Sequence, residues 1–153
     1  MEPREQKVLT RLQRLCARAE YCRSDVRRKA LTALAGDEPA AARVVDALVE
    51  ERYVDDARYA AAFVREKASL QGWGPVKIRF QLRGKGIEDE VITAALQELD
   101  PAPAAVRLEK LAAAKYRTLA GDPSARLKLI KYLLSRGYDY EAVAPVVESV
   151  TKS

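Results

Sequence analysis

The sequence of 153 residues contains no histidine and only two cysteines. Histidine is the commonest general base at neutral pH and a common metal ligand, so catalytic triads and zinc sites that depend on it are excluded. Cys16 and Cys22 cannot complete a four-ligand metal site alone. The chain also lacks an apolar run of about 18 residues and the apolar core of a secretion signal. We therefore expect a cytoplasmic protein without metal, cofactor or membrane contact, whose two thiols are free and buried.

Glycine and proline are scarce, with seven of each, and no segment alternates apolar and polar residues as a strand does. Apolar residues instead recur at the spacing of one helix face, which predicts an all-α fold. Residues 100–103, Asp-Pro-Ala-Pro, are the best candidate for a linker, and Pro145 is expected to kink or shorten the last helix. The expected helices start near Val8, Ser24, Pro39, Asp55, Gly74–Pro75 and Glu88, and three more cover roughly 104–119, 123–136 and 139–150.

An internal repeat divides the chain. An offset of 51 residues places 76–92 on 127–143, and an offset of 47 matches the apolar positions of the third helix with those of the sixth. Units this small gain stability by stacking on their neighbours. We predict about three copies of a three-helix repeat, at residues 1–54, 55–100 and 104–153.

Charge follows the repeat. Segment 74–87 has four basic residues and no acid, whereas 88–103 has five acids and no base. Cations concentrated on the middle helix of each repeat suit phosphates or acidic protein surfaces. The alternative is a solvated face that the acidic third helix beside it neutralises. The candidate binding residues are the middle-helix cations Arg27, Arg28, Lys29, Lys77, Arg79, Arg83, Lys85, Lys128 and Lys131.

The fifth helix and the turn after it carry two further predictions. Val76 and Phe80 lie on the side opposite Ile78 and Leu82, which predicts a helix wedged between neighbours. The segment Gly84-Lys85-Gly86-Ile87 is similar to the phosphate-binding turn of a helix-hairpin-helix. Its repeat partner keeps only the second glycine and the apolar residue after it, which favours a left-handed helix cap.

No enzyme motif is present: the chain contains no G-x-S-x-G, P-loop or G-x-G-x-x-G sequence. The acid pairs Asp55-Asp56 and Glu50-Glu51 are the remaining catalytic candidates. Asp55 has a structural explanation as a helix N-cap. We therefore expect a protein that is not an enzyme.

Two spaced motifs resemble the RecX family of bacterial recombination regulators. These are Asp55-Asp56-x-Arg58-Tyr59-Ala60, and Gly74-x3-Ile78-x3-Leu82-x2-Lys85-Gly86-Ile87. The resemblance covers most of the chain and is strongest from Ser24 to Leu99. It implies tandem three-helix repeats in an elongated, curved molecule, and motif residues such as Asp55, Arg58, Gly74 and Gly86 that preserve the fold.

The resemblance also implies a function in DNA repair and recombination. A RecX protein binds the RecA recombinase filament on DNA and restrains its ATPase, strand-exchange and co-protease activities, without catalysis of its own. We expect a monomer that binds RecA, with single- or double-stranded DNA as a further partner. The alternative from the residues alone is a free-standing basic helical DNA-binding module.

Overall fold

The computed structural model describes residues 1–152, and this part of the chain consists of nine α-helices and no strand. The predicted all-α fold is confirmed. Ser153, the last residue of the third predicted repeat, lies outside the described residues. The helices are α1 (Pro3–Cys16), α2 (Arg23–Ala33), α3 (Glu38–Glu50), α4 (Asp56–Ser69), α5 (Pro75–Gly84), α6 (Asp89–Gln97), α7 (Pro101–Thr118), α8 (Ala125–Ser135) and α9 (Tyr140–Thr151).

The helices pack in three groups, which we name unit 1 (α1–α3), unit 2 (α4–α6) and unit 3 (α7–α9). All the extensive helix–helix contacts in the described chain are made within a unit. Each unit has its own apolar cluster, centred on Val44 and Leu48 in unit 1, on Ile78 and Leu82 in unit 2, and on a third pair in unit 3, Leu129 and Leu133. The second and third pairs are 51 residues apart, so the sequence repeat is also a repeat of buried positions.

Local sequence signals explain most helix ends. Asp55 begins α4 as predicted, because its carboxylate accepts hydrogen bonds from the backbone N–H groups of Ala57 and Arg58. The turn after α5 contains Gly86 at φ +75°, and the N–H of Ile87 donates to the carbonyl of Leu82 over 3.2 Å. This geometry is a left-handed C-cap, and that prediction is confirmed.

Two predictions about helix boundaries are wrong. Residues 100–103 are not a linker, because Asp100 caps α7 and the prolines lie in its first turn, where no backbone donor is needed. Ser24 does not cap α2; Cys22 is the N-cap, and Ser24 lies in the first turn. Of the two effects expected of Pro145, a kink or a shorter helix, the second does not occur, because α9 continues to Thr151 with Val143 and Val147 fully buried on its apolar face.

Both cysteines are free thiols and buried, as predicted. Burial raises the pKa of Cys16 and of Cys22. Cys22 lies between α1 and α2, yet its side chain belongs to the apolar cluster of unit 2. None of the helices in residues 1–152 is long and apolar enough to cross a bilayer.

Candidate partner-binding surface

Units 2 and 3 meet where the N-terminus of α5 contacts the C-terminus of α8. The N–H of Gly74 donates to the carbonyl of Arg136 over 2.8 Å, and the N–H of Val76 donates to the carbonyl of Gly137 over 2.9 Å. The first N–H groups and the last carbonyls of a helix have no partner within that helix. The backbone N–H groups at the start of α5 and the carbonyls at the end of α8 therefore satisfy each other's hydrogen bonds. The positive end of one helix dipole meets the negative end of the other.

This joint leaves no space for a side chain at either glycine. A Cβ atom on Gly74 would lie 2.5 Å from the carbonyl carbon of Gly137, and a Cβ atom on Gly137 would overlap Lys77. Gly137 also has φ +99°, in the region that favours glycine. The hydroxyl of Tyr138 donates to the carbonyl of Gly72 over 3.0 Å, which adds a side-chain contact to the joint.

Units 1 and 2 meet in a similar way, with the first turn of α2 against the C-terminus of α5. The hydroxyl of Ser24 donates to the carbonyl of Lys85 over 2.7 Å. The ammonium of Lys85 donates to the carboxylate of Asp25 over 3.0 Å, and that carboxylate also accepts from the N–H of Cys22. Burial raises the pKa of Asp25, but the hydrogen bonds from Lys85 and Cys22 outweigh it and lower the pKa overall.

A second contact between these units involves Arg58 of α4. Its guanidinium lies 2.7 Å from the carboxylate of Glu20, and it donates to the carbonyls of Arg52 and Tyr53. Arg58 is thus a structural residue that fixes α4 on the end of unit 1. The hydrogen bond to Glu20 raises the pKa of Arg58, so the guanidinium of Arg58 stays charged at any physiological pH.

The three middle helices α8, α5 and α2 therefore follow one another end to end, and we call them the middle-helix row. The two joints use equivalent acceptors, because Lys85 and Arg136 are 51 residues apart. The three helices have eleven, ten and eleven residues, which amounts to about 50 Å of helix at about 1.5 Å per residue. All nine candidate cations lie on this row or on its caps.

Four of the nine candidate cations are engaged with acids or with the fold. Lys85 belongs to the joint described above, and Arg79 is half-buried and donates to the hydroxyl of Thr93. Arg83 lies 2.6 Å from Asp89, and Lys128 lies 2.5 Å from its acidic partner, Asp122. The hydrogen bond from Arg83 lowers the pKa of Asp89. Arg79 and Arg83 therefore fit the alternative interpretation of the sequence better, in which the acidic third helix of the repeat neutralises a solvated face.

The other five cations are less constrained. Arg27 and Arg28 approach single acids at 3.8 and 3.5 Å. Two lysines lie over aromatic rings: Lys29 is 5.6 Å from the ring centre of Tyr21, and Lys77 is 4.3 Å from that of Trp73. Lys131 is exposed and has no ion pair within residues 1–152.

Apolar side chains are exposed beside these cations, which the sequence reasoning did not anticipate. Val76 and Phe80 are 54% and 73% exposed, so the prediction of a wedged α5 is wrong. The reason is that α5 packs closely only on α4 and α6, which cover Ile78 and Leu82. In unit 3, Leu127 is 54% exposed at the position equivalent to Val76. In the sequence, this surface is indicated by a second apolar pair, Val76 and Phe80, on the side of α5 opposite the buried pair of Ile78 and Leu82.

Comparison with known proteins supports one family. The family model described as "RecX, second three-helix domain" matches residues 55–96. The Regulatory protein RecX of Chromohalobacter salexigens is 39% identical over 131 residues, which cover 85% of this chain and 84% of that protein. The chain belongs to the RecX family. A Regulatory protein RecX of Mycobacterium sp. (strain JLS) is 36% identical over 76% of this chain and 67% of its own length.

Solved structures of RecX proteins have the same fold. A crystal structure of regulatory protein RecX superposes with a TM-score of 0.84 at 26% identity, over 98% of this chain and 72% of that one. The crystal structure of RecX from Lactobacillus salivarius gives a TM-score of 0.85 at 20% identity, over 98% of both chains. The RecX motif residues quoted from the sequence now have structural positions: Asp55 caps α4, Arg58 joins units 1 and 2, Gly74 joins units 2 and 3, and Gly86 forms the left-handed turn after α5.

Proposed function

We propose that this protein binds the filament that RecA forms on DNA, and that it restrains ATP hydrolysis, strand exchange and co-protease activity without catalysing a reaction. We further propose that it acts as a cytoplasmic monomer that needs no cofactor. The curated relatives are named regulatory proteins, which supports a regulatory role. The observation that carries the proposal is the middle-helix row, which extends one surface through all three units.

The chemistry of this row suits an extended partner with an anionic surface. Cations such as Arg27, Lys77 and Lys131 are distributed over three helices, so they reach acids or phosphates at several places along a polymer. The exposed Phe80 and Val76 lie among them and supply apolar contact area. Aromatic and basic side chains together are typical of binding hot spots. A surface of this kind acts by occupying the filament, which needs no catalytic group.

The test is DNA-dependent ATP hydrolysis by the cognate RecA at increasing concentrations of this protein. We expect the rate to fall to a plateau at saturation. A triple variant, Lys77→Ala, Phe80→Ala and Lys131→Ala, should need at least about tenfold more protein for the same inhibition, because it removes the half-buried Lys77 and two exposed side chains from two helices of the row. Unchanged hydrolysis at saturating wild-type protein in low salt would refute the proposal.

Two matched controls make this test specific. Arg65→Ala removes an exposed cation from α4, outside the row, and should inhibit like the wild type. Lys85→Ala is unsuitable as a contact variant, because it breaks the joint with Asp25. Circular dichroism and melting of each variant separate a lost contact from a lost fold.

The second candidate function is a free-standing DNA-binding module, which the same exposed cations favour. About 4 to 6 phosphate contacts would give a slope of log affinity against log salt of roughly −4 to −5 on duplex DNA. Binding to DNA without RecA, measured as a gel-shift series in salt, decides between the two. Tight binding without RecA, with no effect on RecA hydrolysis, would support the module.

A further inference from the structure

Unit 1 contains a groove that is separate from the exposed side of α5 and α8. It lies between α1 and α2 and has a volume of about 670 Å³. Its floor is apolar, with Val8 and Leu12 nearly buried and Leu15 half-buried, and Ala33 closes one end. Nothing else in residues 1–152 covers this opening, although the groove is large enough for several apolar side chains.

Cations line both edges of the groove. Arg11 and Arg14 of α1 lie on one edge with Arg18 of the turn after it, and Arg28 and Lys29 of α2 lie on the other. No acidic residue lines the groove, and of these five only Arg28 has an ion-pair partner within the described chain, Asp25 at 3.5 Å.

The edge formed by α1 continues along the whole helix. Lys7, Arg11 and Arg14 recur at the spacing of one helix face, Arg18 follows in the turn after α1, and all four are exposed. Like charges three and four residues apart repel each other, which destabilises an isolated helix by a few tenths of a kcal/mol per pair. An anionic partner removes this repulsion, so the stripe gains stability when the groove is occupied.

We propose that this groove binds an acidic amphipathic helix of a partner protein. The apolar face of such a helix fills the floor, and acidic residues on both flanks of that face meet the two cationic edges. A nucleic acid fits less well, because no aromatic side chain lines the groove to stack on a base, and the apolar floor offers nothing to a phosphate. The proposal does not depend on RecA binding, although Arg28 and Lys29 belong both to the groove and to the middle-helix row.

The test uses two synthetic fluorescein-labelled peptides of about four helical turns. The first has leucines on one helix face with glutamates on both flanks; the second has the same composition in a scrambled order. Fluorescence anisotropy at low and moderate salt measures binding to the full-length protein. We expect the amphipathic peptide to bind at least about tenfold more tightly than the scrambled one.

Variants of the groove then locate the binding. Ala33→Trp fills the groove without changing its charge, and Arg14→Glu with Arg18→Glu reverses one edge. Each should weaken peptide binding by about tenfold or more, while Arg65→Glu on α4 should leave it unchanged. Two independent changes keep the test valid if one of them disturbs the fold.

Three results would overturn the proposal. Equal binding of the two peptides means that only net charge is recognised. Binding that survives both Ala33→Trp and the double charge reversal places the peptide elsewhere. If Ala33→Trp weakens binding of a single-stranded thymine oligonucleotide but not of the peptide, the groove is a nucleic-acid site. RecA inhibition is measured separately, so its loss or retention does not affect these outcomes.

Discussion

The joint between units 2 and 3 makes a sharp prediction at Gly74. Replacing it with alanine places a methyl group 2.5 Å from the carbonyl carbon of Gly137, so the ends of α5 and α8 must separate. Gly74 has a negative φ of −84°, a conformation that alanine adopts freely. Any loss of stability in Gly74→Ala is therefore due to the contact and not to backbone strain.

The magnitude follows from the bonds that are lost. Two backbone hydrogen bonds cross the joint, and each contributes about 1 kcal/mol net to folding. Gly74 is buried, so its N–H group costs more than this if it loses its partner without gaining water. Alanine has less conformational freedom than glycine in the unfolded chain, which stabilises the folded state by about 0.4 to 1 kcal/mol and offsets part of this loss. We expect Gly74→Ala to lower the free energy of unfolding by roughly 2 kcal/mol.

Two other glycines provide matched controls. Gly84 ends α5 and has open space around it, so Gly84→Ala should be neutral or stabilising by up to about 1 kcal/mol. Gly86 has a positive φ and open space, so Gly86→Ala should show only the cost of a left-handed alanine, about 1 to 2 kcal/mol. Gly137→Ala combines that cost with the clash and should be the most destabilising of the four.

Urea unfolding, followed in parallel by two probes, measures these effects. Trp73 is the single tryptophan and precedes Gly74, so its fluorescence reports on the joint, while circular dichroism reports on all helices. In Gly74→Ala the fluorescence transition should precede the circular dichroism transition, because unit 3 no longer supports unit 2. Hydrogen exchange at the Gly74 and Val76 amides should speed up. Equal midpoints for Gly74→Ala and Gly84→Ala would refute the reasoning.

Three more predictions concern groups in units 1 and 2. The folded-state pKa of Asp25 is lowered, so its ionised form stabilises the protein above about pH 4 and this contribution is lost as the pH falls through the folded-state pKa; Asp25→Asn should cost about 1 to 2 kcal/mol at pH 7, reduced by the partial exposure of Lys85, and progressively less below about pH 4 in urea titrations. Arg43→Ala should lower the melting temperature at pH 7 and less so at pH 4, because it leaves the buried carboxylate of Glu5 without its partner; an equal loss at both pH values would contradict this. Both cysteine thiols should react slowly with a thiol reagent in the native protein and completely in urea. Rapid labelling of the native protein would show that the two thiols are not buried.

The sequence was informative wherever a signal is local. Asp55 and Gly86 act on backbone groups within a few residues, so their roles as caps can be predicted without knowledge of the fold. The same reasoning failed at residues 100–103, because proline suits a first helical turn as well as a linker. It also failed for α5, since Val76 and Phe80 indicate an apolar face but not whether a neighbour covers it.

The candidate surface was predictable in composition but not in arrangement. Charge counts located the nine cations on the middle helices, yet the partner of Arg83 depends on how α5 packs on α6, and that of Lys85 on how units 1 and 2 stack. The joint between units 2 and 3 uses backbone atoms, which leave almost no trace in a sequence. Glycine at positions 74 and 137 is the one visible sign, because only glycine lets the two backbones approach so closely.

The end-to-end arrangement of the middle helices also gives this surface a direction. Both joints place the C-terminus of one helix against the start of the next, so the row begins at the N-terminus of α8 and ends at the C-terminus of α2. The row has no symmetry axis that would superpose one of these ends on the other. A partner that is itself directional, such as a nucleic-acid strand or a helical polymer of identical subunits, therefore meets the row in two inequivalent senses. Reversing such a partner would bring different residues together along the whole contact, so the two orientations of binding would differ in affinity.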